Sequence, residues 1–192
     1  MGNAAAARGA GGSIVELLNT RYHKQALLAY LAIVLAHWVE HLAQAFQIFV
    51  LGWERPAAGG FLGLIFPWLV TSESLHYFYA IVMLIGLLLL RPGFVGAARR
   101  WWDAALVIQF WHHVEHALLL GQAIAGTTLF GADKPTSIVQ LIVPRVELHL
   151  IYNALVFAPM VVAMYLHLRP SPAERAAMTC NCGRVGATAA AS

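Results

Sequence analysis

Charge is what this chain has least of. Charged side chains make up 11% of its 192 residues and hydrophobic ones 60%, whereas a soluble domain carries about 25% charged residues. A mean hydropathy of +0.68 agrees, and an ordinary water-soluble domain is excluded. Cysteine is also scarce. The two copies, Cys180 and Cys182, lie in a polar C-terminal segment and cannot staple a core; the C-x-C pair reads as solvated tail in preference to a soft-metal site. The N-terminus, Met1 to Ser13, lacks an apolar run, so no cleavable signal peptide is expected. A myristoylation pattern fails because Ala6 stands where Ser or Thr is needed. The basic residues that give a pI near 9.1 fall between apolar stretches, where they act as topology signals. No nucleic-acid partner is expected.

Long hydrophobic runs are what the chain does have. A helix needs about 20 apolar residues to cross the hydrocarbon core. Four stretches qualify: Gln25 to Gly52, Phe61 to Leu90, Trp101 to Gly126, and Ser137 to Leu168. Trp53, Trp101 and Trp102 sit near span ends, as interfacial anchors do. Positive charge separates the connections. Arg8, Arg21 and Lys24 precede the first span, Arg91, Arg99 and Arg100 follow the second, and Arg169, Arg175 and Arg184 follow the fourth. The other two loops hold only Arg55 beside Glu54 and Lys134 beside Asp133. The positive-inside rule therefore puts both termini in the cytoplasm. The expected protein is an integral membrane protein of a bacterial inner or plasma membrane. Residues 1–24 form a disordered cytoplasmic tail, 25–168 a transmembrane bundle, and 169–192 a second disordered cytoplasmic tail.

The chain also repeats itself. His37-Trp-Val-Glu40-His41 matches His112-His113-Val-Glu115-His116. Each motif leads through a loop to an apolar run broken by proline, at Pro67 and Pro144. Glu73 with His76 follows the first proline, and Glu147 with His149 the second; each half ends in Leu-Arg-Pro. The expected fold class is an all-α, four-transmembrane-helix bundle of two parallel helical-hairpin repeats, about 25–92 and 101–170. Proline begins or kinks a helix, so the second and fourth spans can start at Pro67 and Pro144.

Polar residues inside the spans carry the functional signal. Four of the nine acidic residues, Glu40, Glu73, Glu115 and Glu147, fall within them. So do His37, His41, His76, His112, His113, His116 and His149. Ionisable groups at bilayer depth cost several kcal/mol each and mark function. Helical spacing puts His37, Glu40, His41 and Gln44 on one stripe, His112, Glu115 and His116 on another, and Glu73, His76 and Tyr77 on a third. Glu147 and His149 are two apart and diverge by about 200°, so either the helix is distorted after Pro144 or only one of them is a ligand. His149 aligns instead with Arg145, Tyr152 and Asn153. His113 points off its stripe and serves the site from outside, and Arg145 is a counter-charge for Glu147 or a snorkelling residue.

Imidazole and carboxylate together suit iron, zinc or manganese. Dinuclear iron sites in four-helix bundles take a Glu from two helices and a Glu-x-x-His from the other two; Glu73-x-x-His76 supplies that element. The expected ligands are His37, Glu40, His41, Glu73, His76, His112, Glu115, His116, and Glu147 or His149. Gln44, Tyr77, His113, Arg145, Tyr152 and Asn153 support them, with Tyr77, Tyr79 or Tyr152 moving protons or electrons. The leading expectation is an oxygen-dependent oxidoreductase with two metal ions, iron first, acting on a lipid-soluble substrate or quinone. Such a small chain needs an electron donor or a membrane-complex partner. The alternatives are a haem b electron carrier, a zinc hydrolase, and a copper or other metal carrier with Cys180 and Cys182 as handoff point; manganese is a further choice of metal. His23 and His167, near the span ends, read as hydrogen-bonding boundary residues.

Overall fold

The computed structural model describes residues 12–180 and Cys182. Of the expected disordered tails, residues 1–11, 181 and 183–192 lie outside the described residues. Among the described residues every regular element is helical. Four helices are long: α2 (His23–Phe49), α5 (Glu73–Leu90), α6 (Gly96–Ala125) and α7 (Arg145–Leu168). Four are short: α1 (Ile14–Asn19), α3 (Gly60–Ile65), α4 (Pro67–Thr71) and α8 (Pro172–Ala177).

Three of the long helices, α2, α5 with its short extension to Gly93, and α7, are long and apolar enough to cross a membrane. The fourth expected span, α6, is the longest at 30 residues but holds Arg99, Arg100, Asp103 and Glu115. It packs along both α5 and α7, and α2 closes the bundle against α5 and α7. The outside is apolar: α2 exposes Leu28, Leu35, Val39, Leu42 and Phe46 along one face. A surface of that kind is matched to lipid tails, which leaves close packing and interhelical hydrogen bonds to hold the helices together. Tyr30 donates to the Met83 carbonyl (2.9 Å), Trp102 to that of Leu87 (2.8 Å), and Gln109 to that of Ala80 (3.1 Å).

The prolines set the boundaries. Pro67 begins α4, and Pro144 is the N-cap of α7. The expected second span from Phe61 is thus three helices. The α3–α4 segment turns back before Ser72 caps α5 by accepting from the Leu75 amide at 3.3 Å. The expected fourth span begins only at Arg145, after a short 3-10 turn at Val139–Leu141. Proline has no N–H to donate to the preceding turn, and its ring pushes the residue before it out of the α region, so the helices restart at these points.

The bundle has two unlike halves. Leu27 and Val34 of α2, Leu87 of α5, Trp102 of α6 and Met160 of α7 form an apolar core toward the end where α2 begins and α7 stops. The polar side chains gather beyond it, level with the first turns of α5 and α7. At the apolar end the segment after Leu168 is structured, unlike the expected tail. Ser171 and Glu174 form a capping box for α8, and Glu174 also accepts from the Ala97 amide of α6 at 3.0 Å. Those amide hydrogen bonds, Ala97 first, hold the Glu174 carboxyl below its ordinary range.

Candidate metal centre

Six of the seven histidines expected inside the spans converge. The His149 ring lies 5.1 Å from His41, 5.6 Å from His112, 5.2 Å from His116 and 6.1 Å from His76. His37 and His41 are 4.4 Å apart, and His112 and His116 are 4.6 Å apart, each pair one turn apart on its helix. His112, His116 and His149 each offer a ligand nitrogen within 4.8 Å of the others, and all three are buried. His37 Nε2 and His41 Nε2 are 3.0 Å apart, close to the separation of two nitrogens at right angles on an ion about 2.1 Å from each.

Backbone geometry orients several rings. His76 Nδ1 donates to the Ser72 carbonyl at 2.9 Å, and His149 Nδ1 to the Arg145 carbonyl at 2.8 Å. A carbonyl only accepts, so these contacts place the proton on Nδ1 and leave the Nε2 lone pair free. This is the usual preparation of a metal-binding histidine. His41 Nδ1 has Gln44 Oε1 at 2.9 Å for the same purpose. His149 Nε2 is buried and makes no hydrogen bond, as are His112 Nδ1 and His116 Nδ1. A buried polar atom without a partner costs about 1–3 kcal/mol, and each of these three rings has one.

The four glutamates sit elsewhere. Glu73 is held by Arg145 through two contacts, of 2.5 and 2.7 Å. Glu147 pairs with Arg55 from the α2–α3 loop. Glu40 accepts from the Leu62 amide of α3 at 3.0 Å, and Glu115 from the Val139 amide at 2.9 Å. Each of these two carboxylates thus caps a short helix in the loop that follows its own helix. Gly60 has φ +69°, and a Cβ there would come within 2.5 Å of Glu40 Oε2. Gln47 and Gln122 also brace the loops: Gln47 Oε1 accepts from the Gly60 amide, and Gln122 Oε1 from the Leu129 and Thr136 amides. Nothing in the sequence patterning singled out these glutamines. Their spacing from His41 and His116, six residues in each case, is the signal that was there.

The fourth helix is regular after Pro144, so the Glu147/His149 divergence is real. The structure puts His149 with the other histidines and turns Glu147 toward Arg55. Arg145 neutralises Glu73, not Glu147. Tyr152 packs on His112 at 4.4 Å. Tyr79 stacks on His37 at 3.8 Å. Tyr77 contacts His113 at 5.1 Å, outside the cluster. Asn153 lines the cavity between the rings, its Nδ2 without a hydrogen bond.

That inner cavity is small, about 20 Å³, and is lined by His37, His76, His112, His116, His149 and Asn153 among others. It has room for about one water or ion. A second cavity of about 680 Å³ lies between α3–α4 and the Pro135–Arg145 segment; His41, His76 and His149 form part of its wall. Its size is that of a small-molecule site. Comparison with family models, curated proteins and solved structures finds no match to this chain.

Proposed function

We propose that this chain is a four-span membrane oxidoreductase with a histidine-ligated metal ion, acting on a small substrate that enters through the larger cavity. The observation that carries the reading is the convergence of six imidazoles, with His112, His116 and His149 as the ligand set. Three protein ligands with open coordination are the pattern of a catalytic rather than a structural metal. His41 and His76 line the side from which substrate arrives. Repeated use of His-x-x-Glu-His in α2 and α6 supports α6 as a fourth span and a duplicated hairpin. The arginine pattern supports cytoplasmic termini.

The charges favour one divalent ion over two. Glu73 and Glu147 are already neutralised by Arg145 and Arg55. Among the described residues no cation pairs with Glu40 or Glu115, which leaves two negative charges near neutral imidazoles. In a low-dielectric setting that balances one ion of charge two. Redox chemistry, with iron as the metal, is favoured by Tyr79 and Tyr152, phenols stacked on His37 and tilted against His112 respectively. Hydrolysis needs a general base facing the metal, and both motif glutamates are engaged with loop amides instead.

The test is metal analysis and an optical spectrum of the full chain purified in detergent. The expected result is about one equivalent of iron and no Soret band. Two irons would restore the dinuclear model, a Soret band would replace it with haem, and a protein free of redox metal would overturn it. Glu115→Gln is expected to weaken metal affinity about 10–100-fold, the usual effect of an outer support. Complete loss of metal in Glu115→Gln would instead make that carboxylate a ligand.

A further inference from the structure

At the opposite end of the bundle, the two cysteines that read as solvated tail are buried, Cys180 at 4% and Cys182 at 5% exposure. Both are free thiols. They face His23, the first residue of α2, and His167, in the last turn of α7, exposed 0% and 1%. Helix rise puts His23 about 20 Å along α2 from His37, so this cluster is separate from the one described above.

We propose that His23, His167, Cys180 and Cys182 form a zinc(II) site that clasps the start of α2, the end of α7 and the C-terminal segment. Each of the four offers a donor atom within 4.8 Å of the other three. Cys180 Sγ lies 3.3 Å from His167 Nε2, and Cys182 Sγ lies 3.6 Å from His23 Nδ1. Zinc–sulfur bonds of about 2.3 Å and zinc–nitrogen bonds of about 2.05 Å, set at tetrahedral angles, separate S from N by about 3.6 Å. The Cys182–His23 distance matches that edge, and the Cys180–His167 distance is 0.3 Å shorter.

The donor set and its charge point to zinc. Two thiolates and two neutral imidazoles make a closed tetrahedral set of the structural kind, and two thiolates cancel the charge of a divalent ion inside a buried pocket. Copper(I) in the same set would leave a net negative charge there.

The pocket is built to hold these ligands. Phe94 is buried against both rings, 5.4 Å from His23 and 4.7 Å from His167. A Cβ on Gly93 would come within 2.4 Å of the His23 ring. Asn19 accepts from the Gly93 amide at 2.7 Å, and its carbonyl accepts from Thr179 Oγ1 at 3.3 Å, which brings the segment carrying the cysteines onto α1. The sequence held the C-x-C pair and both histidines. Only the topology, which returns the ends of α2 and α7 to one side, joins them.

The test uses the full chain in detergent. Wild-type protein is expected to hold one equivalent of zinc, and its thiols to resist maleimide until a strong chelator removes the metal. Cobalt(II) put in place of zinc should give a thiolate charge-transfer band. Cys180→Ser/Cys182→Ser should lose the zinc and the cobalt band while keeping the iron of the histidine cluster, so the two sites succeed or fail separately. Unchanged zinc in the double variant, immediate maleimide labelling of wild type, a Cys180–Cys182 disulfide, or stoichiometric copper would each overturn the assignment. The labelling experiment needs no variant and stands even if the double variant fails to fold.

Discussion

His149→Ala is expected to strip the histidine cluster of its metal and to abolish turnover while the bundle still folds. His149 is the one ring in contact distance of four other histidines, two on α6, one on α2 and one on α5. It is also the only member of the three-histidine set that α7 supplies. Binding free energies of about 10–16 kcal/mol shared over four ligands put roughly 3–4 kcal/mol on each. Losing one should weaken binding by about 10²–10³-fold. Folding should survive because the apolar core lies in the other half of the bundle, around Trp102 and Met160. Thermal unfolding offers a second readout. Metal at 1,000 times its Kd stabilises the native state by about 4 kcal/mol. Wild-type protein should lose that increment when chelated, and His149→Ala should be insensitive to chelator. The His113 ring packs on Tyr77 outside the cluster, so His113→Ala should keep both metal and chelator sensitivity. Equal metal content in His149→Ala and wild type would reject the site.

Much of this arrangement was written in the chain, and what was not has physical causes. Hydropathy located the three helices long and apolar enough to cross a membrane, because residues that face lipid must be apolar. Helical spacing brought His37 with His41 and His112 with His116, since residues four apart share a face. The same rule could not place the carboxylates. Glu40 shares the stripe with His37 and His41, yet its carboxylate reaches past them to the Leu62 amide. A side chain of that length is directed by the loop that folds onto it, and loop paths carry no periodicity. Glu73 and Glu147 depend on Arg145 and Arg55, cations from other elements, which sequence spacing cannot pair. The Cys/His cluster escaped for a related reason: His23, His167 and the cysteines stand up to 159 residues apart.

Arg145 and Glu73 should give the largest change in stability, and opposite effects on metal affinity. Glu73 is 12% exposed and Arg145 30%. Arg145→Ala leaves Glu73 an uncompensated charge at the first turn of α5. Breaking a fully buried pair from one side costs about 3–5 kcal/mol; this half-buried pair should cost less, and Glu73→Gln least, because the more exposed arginine can turn toward water. Glu73→Gln/Arg145→Gln should recover much of the loss, since neither charge is then stranded. The metal responds differently. Each residue lies one turn before a cluster histidine, Glu73 before His76 and Arg145 before His149. A unit charge about 8 Å from the ion at an effective dielectric of 20 is worth about 2 kcal/mol, roughly 30-fold in affinity. Arg145→Ala removes a repelling charge and should tighten binding; Glu73→Gln removes an attracting one and should weaken it. The carbonyl that orients His149 belongs to the backbone of residue 145, so the alanine retains it. A purely structural role would lower metal affinity in both single variants. Opposite signs, measured by metal titration beside unfolding midpoints in the same detergent, would show that the pair sets the field at the centre as well as holding α5 to α7.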